Sequence, residues 1–223
     1  MSIKLFVSAI AKFLLGVLLV GVLVFLPAGT LDFTGGIIFM SVLFIPMFIA
    51  GIVMMVKSPS LLKKRLDAKE KEREQSIVVK LSGLMFIVGF ILAGLDFRFG
   101  WIKLPLAVSI AATVVFLIAY VIYAEVLREN AYLSRTIKVE EWQSVVDTGL
   151  YGIVRHPMYS ATLLLFLSMP LILGSIISFA VFLLYIPIIL MRIKYEEKML
   201  TEELKGYKEY KNKVKYKLIP FII

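Results

Sequence analysis

The chain has 223 residues, of which 60% are hydrophobic, and its formal net charge is +9. This apolar content is far above that of soluble domains and identifies an integral membrane protein, and the positive charge suits an anionic membrane surface rather than nucleic acid. With no cysteine and one histidine, the chain lacks a metal-ligand set, and disulfides and a cysteine nucleophile are excluded.

Four apolar runs in the first part of the chain are long enough to cross a membrane. Each holds about 20 residues or more, and a helix that rises about 1.5 Å per residue then spans a hydrocarbon core of about 30 Å. A charged loop at residues 57–76, with a predicted helical stretch, separates the second run from the third. We therefore predict an all-α integral membrane protein that begins with four spanning helices, at Leu5–Pro27, Gly35–Val56, Ile77–Asp96 and Leu104–Glu125.

Two shorter apolar runs follow, Met158–Leu173 and Ile176–Met191, and only Gly174 and Ser175 separate them. They predict a tight helical hairpin over residues 158–191, which brings the expected number of transmembrane helices to about six. At 16 residues each, the limbs reach roughly 24 Å, which is marginal for a full crossing. Prolines within both limbs, Pro170 and Pro187, predict kinks or breaks.

The distribution of lysine and arginine predicts the orientation. Seven of these residues lie between positions 57 and 73 and nine between positions 192 and 217, whereas the connections on the opposite side carry only Arg98 and Lys103. Short connections rich in Lys and Arg face the cytoplasm. We therefore expect the charged loop, the segment 129–157 and the C-terminus to be cytoplasmic.

The chemically suggestive residues are concentrated in the last hundred positions. We therefore divide the chain into transmembrane scaffold helices at 1–128 and a catalytic and cofactor-binding region at 129–223. The tail of this region interleaves Tyr207, Tyr210 and Tyr216 with lysines, a pattern typical of an amphipathic segment at a membrane surface, and we expect it to close the region.

The only histidine, His156, lies between an arginine and a proline at the start of the hairpin. Proline prefers the first helical turn, so Pro157 is predicted to begin the fifth helix. The free N–H groups at that helix start, with Arg155 and His156 beside them, would form a cradle for a carboxylate. Further along the chain, Arg192 and Glu196 are four residues apart and share one helix face.

Four motifs occur in the order T-G-x-Y, R-H-P-x-Y, R-x-x-x-E-E and G-x-x-x-Y between residues 148 and 210. In the order and spacing of these motifs, the chain resembles the isoprenylcysteine carboxyl methyltransferase family. Members of this family are integral membrane enzymes that use S-adenosylmethionine. The resemblance covers roughly residues 130–220. Phospholipid N-methyltransferases share R-H-P-x-Y, and membrane sterol reductases have a related C-terminal half that holds a nicotinamide cofactor.

The resemblance implies a role for individual residues. Arg192 would hold a substrate carboxylate, and Arg192 with Glu196 would form the catalytic pair. Gln143 stands where some family members have histidine, and the short acidic run leaves the choice between Glu196 and Glu197 open. The S-adenosylmethionine site would be built from Gln143, Ser144, Val145, Val146, Tyr151, His156, Pro157, Met158, Tyr159 and Glu196 or Glu197.

Three functions remain open at this point. The chain has neither G-x-G-x-x-G nor alternating strands and helices, which excludes a Rossmann-type methyltransferase. A carboxylate has no proton to lose, so O-methylation of a lipidated, prenylcysteine-like acid that arrives from the bilayer needs mainly positioning and exclusion of water. The alternatives are N-methylation of an aminophospholipid, which needs a base or local desolvation, and a non-catalytic membrane scaffold.

Overall fold

The computed structural model describes residues 3–66, 73–130, 132 and 143–222. These residues form nine α-helices and one short 3₁₀ helix at Gly149–Gly152, and no strand occurs among them. The helices are α1 Ile3–Ala28, α2 Thr34–Lys57, α3 Pro59–Leu66, α4 Arg73–Phe99, α5 Leu106–Glu129, α6 Pro157–Ile172, α7 Ile176–Phe182, α8 Tyr185–Glu203 and α9 Tyr207–Lys213.

The all-α membrane architecture is confirmed. Five helical stretches in the described ranges are long and apolar enough to cross a membrane, and α6 is a shorter apolar helix of 16 residues. The four predicted spanning helices correspond to α1, α2, α4 and α5, and the predicted helical stretch of the charged loop is α3. The five stretches are Ile3–Ala28, Thr34–Lys57, Ser76–Phe99, Leu106–Glu129 and Ile176–Glu203.

The predicted hairpin is present, but its second limb is divided. Gly174 has a φ of +76°, which glycine adopts without steric cost, and the Ser175 side chain then caps α7 by accepting a hydrogen bond from the Ser178 N–H. The limb breaks between α7 and α8 because Pro187 has no N–H to donate to the carbonyl of Leu183. After this break, α8 continues well beyond the predicted end of the limb and reaches Glu203.

Small residues hold the hairpin closely against the long helices. The Ser178 hydroxyl donates to the Gly89 carbonyl of α4 at 2.8 Å, and the Ser109 hydroxyl of α5 donates to the Leu171 carbonyl at 3.0 Å. Such close backbone approach replaces the hydrophobic driving force that is missing between helices in lipid. These contacts hold the turn of the hairpin, at the end of α6 and in α7, against α5 and α4.

The two segments rich in Lys and Arg lie at the same end of the bundle. Lys12 of α1 donates to the carbonyl of Leu66, the last residue of α3, at 2.6 Å. Arg65 of α3 donates to the sulfur of Met158, in the first turn of α6, at 3.8 Å. The first turn of α6 in turn contacts the second half of α8, where the other basic segment begins. This shared end is what the predicted orientation requires, and the side of the membrane on which it lies stays a prediction.

Candidate functional site

A partly enclosed cavity lies at this end of the bundle. Its described walls come from the residues that follow α5, from the loop before α6, from the first turn of α6, from the second half of α8 and from α9. Nine of the eleven predicted cofactor-binding residues line it, and the predicted substrate residue Arg192 lines it as well. The nine are Gln143, Ser144, Val145, Val146, Tyr151, His156, Met158, Tyr159 and Glu196.

The end of α5 holds the T-G-x-Y turn in place. Gly149 has a φ of +49°, and a Cβ at this position would overlap the carboxylate of Glu129. The same carboxylate accepts the Leu150 N–H at 3.0 Å, and Asn130 donates to the Tyr151 hydroxyl at 3.0 Å. Burial raises the pKa of Tyr151 above its usual range, so this hydroxyl keeps its proton.

Arg155 binds the protein's own tail rather than a free carboxylate. Its guanidinium donates to Glu197 Oε1 at 2.7 Å and to the carbonyls of Val214 and Lys215 at 2.7 and 2.8 Å. The backbone N–H of Arg155 donates to the Tyr216 carbonyl at 2.9 Å, and that of His156 is also bound to the tail. The predicted carboxylate cradle at the start of α6 is therefore already occupied by Glu197 and by the C-terminal segment.

His156 is oriented by the same buried carboxylate. Its Nε2 lies 3.3 Å from Glu197 Oε1, and its ring stacks on that of Tyr159 with 5.6 Å between centroids. An ionised carboxylate can only accept, so Nε2 carries the hydrogen in this contact. The other nitrogen, Nδ1, faces Glu196 Oε2 at 4.0 Å, on the cavity side of the ring.

Arg192, Tyr159 and Glu196 form a hydrogen-bonded chain along the cavity wall. Arg192 Nε donates to the Tyr159 hydroxyl at 2.9 Å, and that hydroxyl donates to Glu196 Oε2 at 2.5 Å. The predicted common face of Arg192 and Glu196 is thus present, with a tyrosine from α6 between them. An arginine and a carboxylate held in this way present a cation and an anion side by side to a ligand.

Two predicted cofactor-binding residues are not in the described cavity wall. Pro157 occupies the first position of α6, as predicted, and Glu197 lies behind the wall with 6% of its surface exposed. The structure therefore favours Glu196 over Glu197 as the acidic residue that can reach a ligand. Arg155 of R-H-P-x-Y and Tyr210 of G-x-x-x-Y also line the cavity, and the wall residues that no motif indicated are Asn130, Tyr132, Met199, Leu200, Leu204 and Tyr207.

The tail lies beside the cavity, which accords with the prediction that it closes this region, and its place at a membrane surface stays a prediction. Its helix, α9, is only seven residues long, and Tyr207 and Tyr210 are 4% and 5% exposed. Both pack with Val145 and Leu204 in a small apolar cluster beside the cavity. Lys213 bonds to Asp147 at 2.7 Å and lowers the pKa of that carboxyl, so the tail is tied to the loop before α6 as well. The tyrosines of α9 thus line the cavity and pack beside it.

The fold and the cavity together define an all-α integral membrane protein with a partly enclosed cavity at one end of its helical bundle, and such cavities are where small molecules usually bind. The family model of the phospholipid methyltransferases, PEMT, matches residues 106–207, from the start of α5 to the start of α9. This similarity covers a little under half of the chain and supports the class of membrane methyltransferases. A search of curated proteins finds no match. The narrower resemblance to the isoprenylcysteine carboxyl methyltransferases stays a prediction.

Proposed function

We propose that the chain is a membrane methyltransferase that uses S-adenosylmethionine at the cavity between α5, α6, α8 and α9. The observation that carries this proposal is the hydrogen-bonded chain of Arg192, Tyr159 and Glu196, which lies on the cavity wall and within the segment similar to phospholipid methyltransferases. The predicted division of the chain accords with it, because the described cavity wall begins at Asn130.

The side chains of the cavity fit the mixed chemistry of this cofactor. Val145, Leu200 and Leu204 offer an apolar surface for a flat base, whereas Glu196 and His156 Nδ1 offer polar partners for its hydroxyl and amino-acid groups. The hydroxyl of Tyr207 is buried and has no hydrogen-bond partner among the described residues. When bound, S-adenosylmethionine supplies a methyl group that its sulfonium already activates.

The first candidate reaction is O-methylation of a carboxylate on a lipidated, prenylcysteine-like substrate. Arg192 would orient the carboxylate with charge-assisted hydrogen bonds, and Tyr159 would fix the guanidinium through its Nε. No residue has to remove a proton, so the contribution of the chain is alignment and exclusion of water. Sequence similarity of the motifs and the position of Arg192 on the cavity wall support this reaction.

An apolar groove supports a substrate that reaches the site from the bilayer. It runs between α4 and the second limb of the hairpin and is almost entirely apolar. Its lining includes Met191, the residue that precedes Arg192. A lipid chain in this groove would place its head group at about the level of Arg192 along α8, on a neighbouring side of the helix. The groove is lined by Leu81, Leu84, Met85, Val88, Val181, Leu184, Pro187, Ile188 and Met191.

The second candidate reaction is N-methylation of an aminophospholipid, which the family similarity favours. An ammonium group must lose a proton before it can attack. Glu196 is the carboxylate in the described wall that could accept this proton, and its partner Tyr159 could pass a proton along the chain. In either reaction we propose that the site faces the cytoplasm, as the Lys and Arg distribution predicts.

The test uses purified full-length protein with S-adenosylmethionine that carries a labelled methyl group. Binding is measured first, and the label is then followed into a prenylcysteine analogue or into phosphatidylethanolamine. Transfer to the acid supports the first reaction and transfer to the lipid amine supports the second. A folded, monodisperse sample that binds no cofactor would contradict both and would leave the non-catalytic scaffold.

A further inference from the structure

Two tyrosines on α9 are buried to the same degree but differ in what their hydroxyls contact. Tyr210, 5% exposed, donates its hydroxyl hydrogen to the Tyr151 carbonyl at 2.7 Å. Tyr207, 4% exposed and three residues earlier, has a buried hydroxyl with no hydrogen-bond partner in the part of the chain that the structure describes. Both side chains line the cavity.

A buried hydroxyl without a partner is unusual, because buried polar groups in native proteins nearly always form hydrogen bonds. Its burial costs free energy that a phenylalanine at the same position would avoid. The packing of α9 supplies no reason for the oxygen, since its ring contacts with Tyr210 and the nearby apolar cluster involve carbon atoms that phenylalanine shares. The hydroxyl therefore indicates a partner other than the residues that the structure describes.

The surroundings of the Tyr207 hydroxyl restrict what that partner can be. Burial raises the pKa of Tyr207 above its usual range, and the charges of Glu197 and Glu196 raise it further. The group therefore stays a neutral hydroxyl that both donates and accepts. The charge of Arg155 offsets the two carboxylates only in part, so their charges still disfavour an anionic partner and favour a neutral hydroxyl or an ammonium group.

We propose that the Tyr207 hydroxyl is a ligand-binding group of the cavity, which hydrogen-bonds a neutral or cationic polar group of the S-adenosylmethionine-type cofactor. This inference rests on the proposed function. It makes α9 part of the binding site, because Gly206, with a φ of +86°, turns the chain into α9 and delivers Tyr207 to the cavity wall. The tail then has two roles: Tyr210 fastens it to the T-G-x-Y turn, and Tyr207 meets the ligand.

The experiment compares Tyr207→Phe with Tyr210→Phe, a matched control from the same helix. S-adenosylhomocysteine is the probe, titrated into full-length protein in detergent, and thermal unfolding is recorded with and without it. For Tyr207→Phe we expect the dissociation constant to rise roughly three- to tenfold, the range for one net hydrogen bond. Its unfolding midpoint without ligand should be equal to or higher than that of the wild type. For Tyr210→Phe we expect the ligand-free midpoint to fall, because the Tyr151 carbonyl loses its donor.

Each outcome decides the inference. If the wild type binds the probe and Tyr207→Phe binds it equally well, the inference is wrong while the proposed function stands. If Tyr207→Phe lowers the ligand-free midpoint as much as Tyr210→Phe does, the hydroxyl has a structural partner and the inference is again wrong. If the wild type does not bind the probe, the proposed function fails first and the inference fails with it.

Discussion

Replacing Arg155 by methionine tests whether this residue belongs to the fold or to the ligand. Arg155 is 7% exposed, and its guanidinium forms hydrogen bonds with Glu197 and with the carbonyls of Val214 and Lys215. Methionine keeps much of the side-chain volume but removes the positive charge and all three of these hydrogen bonds. The substitution therefore leaves a buried carboxylate without its main cation and releases one side of the tail.

The expected loss of stability is large. Removing one partner of a buried ion pair typically costs about 3–5 kcal/mol, because the remaining charge stays buried. Replacing Glu197 by methionine as well should recover part of this loss, since an apolar pair can substitute for a buried ion pair. Recovery should be incomplete, because the carbonyls of Val214 and Lys215 remain without their donor and His156 loses its carboxylate.

The measurement is the free energy of unfolding in mixed micelles, together with proteolysis of the tail after residue 203. Arg155→Met should be strongly destabilised and its tail should be cleaved faster, whereas the double variant should lie between it and the wild type. Arg128→Met is the control, because Arg128 pairs with Glu125 at the surface with 73% and 40% of the two side chains exposed, and its loss should change little. If Arg155→Met stays within about 1 kcal/mol of the wild type and its tail stays protected, the structural role is refuted.

Three further predictions concern the site and the tail. Arg192→Ala should leave the affinity for S-adenosylhomocysteine nearly unchanged while it lowers methyl transfer to a carboxylate. Glu196→Gln should weaken that affinity. The opposite pattern would mean that Arg192 binds the cofactor and Glu196 the substrate. Gly149→Ala should cost about 1–3 kcal/mol and reduce cofactor binding, because alanine is strained at a positive φ, and equal unfolding curves for variant and wild type would contradict this. Asp147, whose pKa is lowered by Lys213, should stabilise the tail fully above the ordinary pKa of about 3.9. This contribution should disappear as the pH falls through the lowered pKa of Asp147. The measurement is the rate at which a protease cleaves the tail. If Asp147→Asn leaves that rate unchanged at neutral pH, the effect is excluded.

The elements that bear the site could be predicted because local signals determine them. Pro157 begins α6 as expected from the preference of proline for the first helical turn. Gly174 and Ser175 form the hairpin turn because one accepts a positive φ and the other caps the following helix. The shared face of Arg192 and Glu196 follows from helical geometry alone. Each of these features depends on residues within one or two turns of each other.

That the tail closes the region could be predicted, but the groups with which it pairs could not. A row of tyrosines and lysines supplies apolar rings with charged tips, and such a pattern can cover a membrane surface or a protein cavity equally well. What decides between them is pairing at long range: the Arg155 N–H meets the Tyr216 carbonyl, and the Tyr210 hydroxyl meets the Tyr151 carbonyl. No local preference specifies such a register, and only the folded chain brings these backbone groups together.

The different surroundings of Glu196 and Glu197 follow from the angle between successive residues of α8. Neighbouring helical residues point about 100° apart, so two adjacent carboxylates cannot face the same surroundings. Glu197 continues the buried row of Ile189 and Ile193 at four-residue spacing, whereas Glu196 continues the row of Arg192. A carboxylate on the buried row requires an internal cation, and Arg155 supplies it. The carboxylate on the other row contacts only a tyrosine hydroxyl and a more distant imidazole among the described residues. Of the two, Glu196 is therefore the anion that can still form a charge-assisted hydrogen bond to a ligand.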